Sequence, residues 1–176
     1  MRGRPAFDLA ALRHLRFVIA GQDPLYNPDL ATGVAFSLKE DEANWPPSCR
    51  NFLKVLQADL KLGPPPNACL EDWAKKGGLL LNAALTVRRG APNSHADLWE
   101  PYTRNVLKVI SDQCDGVVFI LFGNVAHKLG SGVIDTSKHY VIEAPHPSRL
   151  ENGILAARPF FRAERDSGRA LPRPWP

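Results

Sequence analysis

Apolar residues cluster in four short runs, Arg16–Ala20, Leu79–Leu81, Val117–Phe122 and His139–Ile142, each of strand length. Between them the apolar spacing lengthens to that of helices. In Asn51–Leu62, Phe52, Val55, Leu56 and Leu60 recur near helical spacing, behind Ser48 as a candidate N-cap. In Asp97–Gln113, Trp99, Tyr102, Val106, Leu107 and Ile110 share one side, and Pro101 is expected in the first turn, where its missing N–H costs little. Gly63-Pro64-Pro65-Pro66 and the proline-rich end from Leu171 read as loops or a loose terminus. Strands alternating with helices predict an α/β fold of three layers: a four-stranded, mainly parallel sheet with helices on both faces.

In folds of this kind, ligands bind in the crevice beyond the carboxyl ends of the strands. Each run here is followed by polar, loop-forming residues. Gly21-Gln22-Asp23-Pro24 follows the first, Asn82 the second, Gly123-Asn124 the third and His146-Pro147-Ser148 the fourth. Taken singly, each has an ordinary reading as a turn, a cap or a hydrogen-bonded structural side chain. Together they bring an Asp, an Asn and a His to one rim.

Composition narrows the classes. The chain has 176 residues, 44% hydrophobic and 23% charged, which suits one soluble domain over residues 1–176 with loose ends at 1–6 and 165–176. Val117–Phe122 is the longest apolar run, too short to span a bilayer, and no membrane contact is expected. No apolar stretch follows Met1-Arg2-Gly3-Arg4-Pro5, so the expected location is the cytoplasm, at the nucleoid if the source is bacterial. Cys49, Cys69 and Cys114, widely spaced and odd in number, fit neither a disulfide framework nor a metal site and read as reduced, partly buried thiols. The net charge is a mild +4, and residues 158–176 carry Arg158, Arg162, Arg165, Arg169 and Arg173 against Glu164 and Asp166. That tail reads as a solvated basic face or, more sharply, as a nucleic-acid contact.

Five segments, in order, carry a resemblance: Ala20-Gly-Gln-Asp-Pro with Gly33-Val-Ala-Phe-Ser37, Pro46-Pro47-Ser48, Gly78 to Val87 with its Leu-Leu-Leu-Asn, Val117 to Gly123, and Ala144-Pro-His-Pro-Ser-Arg-Leu150. Over roughly residues 17–161 the chain resembles the family-one uracil-DNA glycosylases. The resemblance implies hydrolysis of the bond between uracil and deoxyribose, without metal or cofactor. Cleavage leaves positive charge on the sugar and negative charge on the departing base, so a site must stabilise both. By resemblance, Asp23 faces the sugar and orients the water, and His146, as neutral imidazole, donates to uracil O2. Asn82 would accept from uracil N3–H and donate to O4, a pattern cytosine reverses. Phe36 would stack on the ring, with the backbone around Gln22 donating to it and Leu25 beside it. Leu150 matches the apolar wedge that replaces the flipped base, flanked by Arg149. Pro46, Pro47, Ser48, Gly123, Asn124 and Ser148 match loops that grip phosphates.

Several positions depart from the family pattern. Leu25-Tyr26 stands where the family has Tyr-His, and the family tyrosine blocks the thymine methyl. Arg149 replaces a proline, Asn124 a serine, the stretch to Phe160 is short, and the helical region before residue 16 is abbreviated. The expected partner is uracil-containing DNA, single- or double-stranded, bound by a monomer. Because Arg149 and Glu151 flank Leu150, the phage-encoded protein inhibitor of the family, which encloses the wedge leucine in an apolar pocket, is expected to bind weakly or not at all. Alternatives are a uracil- or abasic-site binder of slow turnover, and a glycosylase of altered base specificity.

Overall fold

Four strands, β1 (Phe17–Gly21), β2 (Gly78–Asn82), β3 (Val118–Phe122) and β4 (Tyr140–Ala144), form one sheet in the order β2-β1-β3-β4. All three pairings are parallel, with Ile19 opposite both Leu80 and Ile120. The computed structural model describes residues 6–148 and 153–175.

The strands are apolar on both faces because both faces are covered. Phe17, Ile19, Leu80, Val118, Ile120, Phe122, Ile142 and Ala144 belong to one core. There they meet α2 (Pro47–Leu60), α3 (Glu71–Lys75), α6 (Gly153–Ala157) and α7 (Pro159–Ser167) through Phe52, Trp73, Ile154 and Phe160. Val18, Ala20, Leu79, Leu81, Phe119 and Leu121 belong to a second core with α1 (Ala6–Leu9), α4 (Ala96–Gln113) and α5 (Gly123–Gly130). The three-layer arrangement expected from the sequence is thus observed. In the first core Phe52 meets Phe122 at 5.6 Å and Phe160 at 5.5 Å between ring centroids. Burying each such ring contributes about 1.5–3 kcal/mol.

Boundaries differ from expectation where a particular residue intervenes. β4 starts after His139, whose buried ring accepts the Val117 N–H at Nδ1 (3.2 Å) and donates from Nε2 to the Ser111 carbonyl (3.0 Å). α2 starts at Pro47, not behind Ser48, since proline at the first helical position has its φ pre-set and needs no partner for the N–H it lacks. Ser48 therefore lies inside the first turn, and left-handed Lys61 ends the helix. α4 starts at Ala96, so Pro101 falls in its second turn and not the first; it is exposed there. Tyr102, expected on the apolar side, is 50% exposed, while Thr103, Leu107, Ile110 and Ser111 are buried.

The C-terminal segment is not loose. Leu171 and Trp175 are buried, the Trp73 indole donates to the Pro172 carbonyl (2.6 Å), and the Trp175 indole donates to the Gly63 carbonyl (2.9 Å). Its arginines, though mostly exposed, each have a partner within the protein. Arg173 pairs with Glu164, Arg165 with Asp166, Arg169 donates to Gly116, Arg162 donates to Glu143, and Arg158 lies 3.9 Å over the Phe161 ring. At the other end, Ala6 is buried and its N–H donates to the Gly33 carbonyl.

Candidate active site

The carboxyl ends of the strands bring the expected side chains to one cavity. It is lined by Asp23, Leu25, Phe36, Ser48, Asn82 and His146, with Pro24, Thr32 and Cys49 among their neighbours. Gly21 ends β1 and makes the first approach possible. A Cβ there would lie 2.8 Å from Asn82 Oδ1 and 3.0 Å from Phe36 Cζ, so any side chain displaces one of them.

Asp23 follows two residues later and is held from two sides. Its Oδ2 accepts from Gln22 Nε2 (2.9 Å) and from the backbone N–H of Asn93 (2.5 Å). Its Oδ1 is buried with no hydrogen-bond partner among the described residues, an oxygen prepared for a ligand or water. The Gln22 side chain stands behind Asp23 and does not line the cavity, and its carbonyl accepts the Ala84 N–H (3.0 Å).

The segment from Thr32 to Leu38 folds against the sheet end through Ala35 N–H to the Leu80 carbonyl (3.1 Å) and Leu38 N–H to the Ala68 carbonyl (2.9 Å). This places Phe36 with a positive φ of 62°, a conformation that costs about 1–3 kcal/mol for a residue with a side chain. One face of its ring is stacked on Phe52 at 4.5 Å and 6°, and its edge meets Phe122. Phe36 is thus both a margin of the core and a wall of the cavity. Asn82 ends β2 half-buried, and neither side-chain oxygen nor nitrogen has a partner among the described residues.

His146 stands on the loop after β4. Its Nδ1 accepts the Ser148 N–H (3.2 Å), which leaves the proton on Nε2 and makes that nitrogen a donor. Burial holds its pKa below the ordinary histidine value, outweighing the Asp23 charge, which pulls the other way. A neutral donor is therefore the resting form near neutral pH. The adjoining Pro147 carbonyl accepts from buried Asn51 Nδ2 of α2 (2.8 Å). Gly123, at φ 81°, leaves room beside it, since a Cβ there would lie 2.9 Å from His146 Cβ. Gly123-Asn124 is the first turn of α5 and not a free loop, with Asn124 exposed. On the same helix, His127 Nε2 lies 3.0 Å from both the Leu121 and Ala144 carbonyls and ties the ends of β3 and β4 together.

The remaining expected positions are spread around the cavity. Pro46 caps α2 and Pro47 opens it; Ser148 is exposed beside His146. Arg149, Leu150 and Glu151 lie outside the described residues. The Cys49 thiol in the cavity wall is pushed up to about 11 by burial, so it stays protonated at neutral pH and is no nucleophile. Among the described residues no three His, Cys, Asp or Glu side chains gather as a metal would require. Asn51, Asn93 and His127 were not singled out in the sequence. The polar triplet Asn93-Ser94-His95 ahead of α4 was the available signal for one of them; the other two sit inside helices with no local mark.

Solved structures with this fold include the mimivirus uracil-DNA glycosylase, at 24% identity and TM-score 0.80, covering 97% of this chain and 71% of that one. The Y322F variant of the mimivirus enzyme in complex with UGI matches at 24% identity and TM-score 0.80, covering 97% and 72%. The uracil-DNA glycosylase (UNG) of Nitratifractor salsuginis matches at 21% identity and TM-score 0.64, covering 96% and 78%. At such identities these likenesses establish the fold. Family membership comes from the sequence itself, because the profile of the uracil DNA glycosylase superfamily matches residues 7–164. The chain belongs to the uracil DNA glycosylase superfamily.

Proposed function

We propose that the protein takes uracil out of the DNA base stack, hydrolyses its C1′–N1 bond and leaves an abasic site, the opening step of base excision repair. The observation that carries this reading is one cavity holding a carboxylate with an unpartnered buried oxygen, a neutral histidine with a free N–H, and an unpaired amide.

In this mechanism the C1′–N1 bond breaks ahead of full bond formation, leaving a cationic sugar and a uracil anion. Asp23 Oδ1 faces the sugar and orients water, whose oxygen bonds to C1′ as its proton passes to the Asp23 carboxylate; the departing uracil anion takes up a proton from solvent. His146 Nε2–H stabilises charge on uracil O2; one such preorganised donor is worth ~10²–10³ in rate. Asn82 reads the N3–H and O4 edge, and the free face of Phe36 stacks on the ring. Ser48 and the first turns of α2 and α5 present N–H groups to the flanking phosphates.

Uracil-containing DNA is the partner. We further propose weak binding of the phage-encoded inhibitor, because Arg149 and Glu151 flank Leu150 in sequence and burying an unpaired charge costs several kcal/mol. A monomer in the cytoplasm completes the reading. The test is release of base from labelled oligonucleotides carrying uracil, thymine opposite guanine, hypoxanthine or xanthine. Uracil release alone or foremost is expected; binding of uracil-DNA with no release of any base would contradict it.

A further inference from the structure

A mild net charge leaves open where the cationic contacts for DNA come from. The arginines of residues 158–173 do not supply them freely, since each is engaged with the protein's own carboxylates, carbonyls or Phe161. On the two segments that meet at Asp23 the situation is reversed. Tyr26, 55% exposed, and the exposed side chains of Arg88 and Arg89 have no partner among the described residues.

These three side chains stand on two chain segments that meet at Asp23. Tyr26 follows cavity-lining Leu25 and precedes a turn in which the Asp29 N–H donates to Asn27 Oδ1 (3.1 Å) and the Leu30 N–H donates to the Asn27 carbonyl (3.2 Å). Arg88 pairs with Ala91 in a small antiparallel bridge, and its N–H donates to Ser94 Oγ (2.9 Å). The neighbouring Asn93 N–H is the one that holds Asp23. The hairpin with the two guanidiniums is therefore anchored on the catalytic carboxylate.

An exposed aromatic ring and unpaired cations on segments that share one anchor are what a single-strand site requires. The cations follow the phosphates, and the ring stacks on a base face that a duplex keeps hidden. We infer that Tyr26, Arg88 and Arg89 form a grip for single-stranded DNA next to the uracil cavity, with Tyr26 stacking on a neighbouring base and the arginines on phosphates. This rests on the glycosylase reading for its place in catalysis, but not for its test.

That test is equilibrium binding of labelled, uracil-free oligonucleotides, which needs no turnover. Tyr26→Ala should weaken single-strand binding by about tenfold or more, Tyr26→Phe should restore it, and duplex binding should change by less than twofold. Arg88→Ala with Arg89→Ala should flatten the dependence of log K on log salt by about 0.7 for each lost phosphate contact, and the paired lysine replacements should restore the slope. Single-strand affinity within twofold of wild type in Tyr26→Ala, an equal loss on duplex, or an unchanged salt slope would each overturn the inference. Failure to release uracil would count against the glycosylase reading instead.

Discussion

Asn51 of α2 and Pro147 are joined by a 2.8 Å hydrogen bond from the buried Asn51 amide to the carbonyl just after His146. The same helix presents Ser48 and Cys49 to the cavity, so one rigid element sets both the cavity wall and the histidine loop. Asn51→Ala leaves a buried carbonyl unpaired, which typically costs ~1–3 kcal/mol. We expect a lower urea midpoint and a lower kcat with KM less affected, since a displaced His146 acts chiefly in the transition state. A variant with lowered stability but wild-type kcat would show Asn51 to be purely structural.

The pH behaviour of His146 follows from its environment. Burial lowers its pKa from 6.5, so the folded protein resists protonation that the unfolded chain accepts. This histidine's contribution to stability is therefore complete above pH 6.5 and is lost as pH falls toward and through its folded value. Protonation also adds a hydrogen at Nδ1, where the Ser148 N–H is accepted. Any acid limb of kcat that follows this histidine should lie below the ordinary histidine range. NMR titration of His146 giving an unshifted or raised midpoint would refute this.

Gly21 is packed directly against two of the side chains that line the cavity. Gly21→Ala places a methyl 2.8 Å from Asn82 Oδ1 and 3.0 Å from the Phe36 ring. Uracil release should fall by at least ~10-fold, mostly through KM, because the reading amide and the stacking ring are both displaced. Near-normal kinetics would mean that neither needs its present position.

Leu25 lines the cavity beside Asp23. A branched side chain still obstructs a thymine methyl, yet one methyl in an apolar cavity discriminates by only ~1–3 kcal/mol. Wild type should release thymine weakly or not at all, and Leu25→Ala should release detectable thymine from single strands. If that variant remains confined to uracil, another residue guards the methyl position.

How far the sequence reached depends on the range of the contacts concerned. The strands were legible because buried residues on both faces give short, continuous apolar runs, and the cavity residues because each follows such a run. Asn51 and Asn93 were not, since they act on partners 96 and 70 residues away along the chain. The packing of the tail is hidden in the sequence for the same reason. Leu171 and Trp175 look like a proline-rich end until Trp73 and Gly63 supply the hydrogen bonds that fix it. Ser48 has the chemistry of an N-cap, but Pro47 one position earlier sets the start of α2.

The central claim is that Asp23 and His146 carry out the hydrolysis, and single-turnover release of uracil from a labelled oligonucleotide tests it most directly. Wild type should release uracil. Asp23→Asn, which keeps the shape of the side chain and the contacts to Oδ2 while removing the charge, should be slower by at least ~10², as should His146→Ala, with uracil-DNA binding largely retained in both. Turnover near that of wild type in either variant would contradict the account.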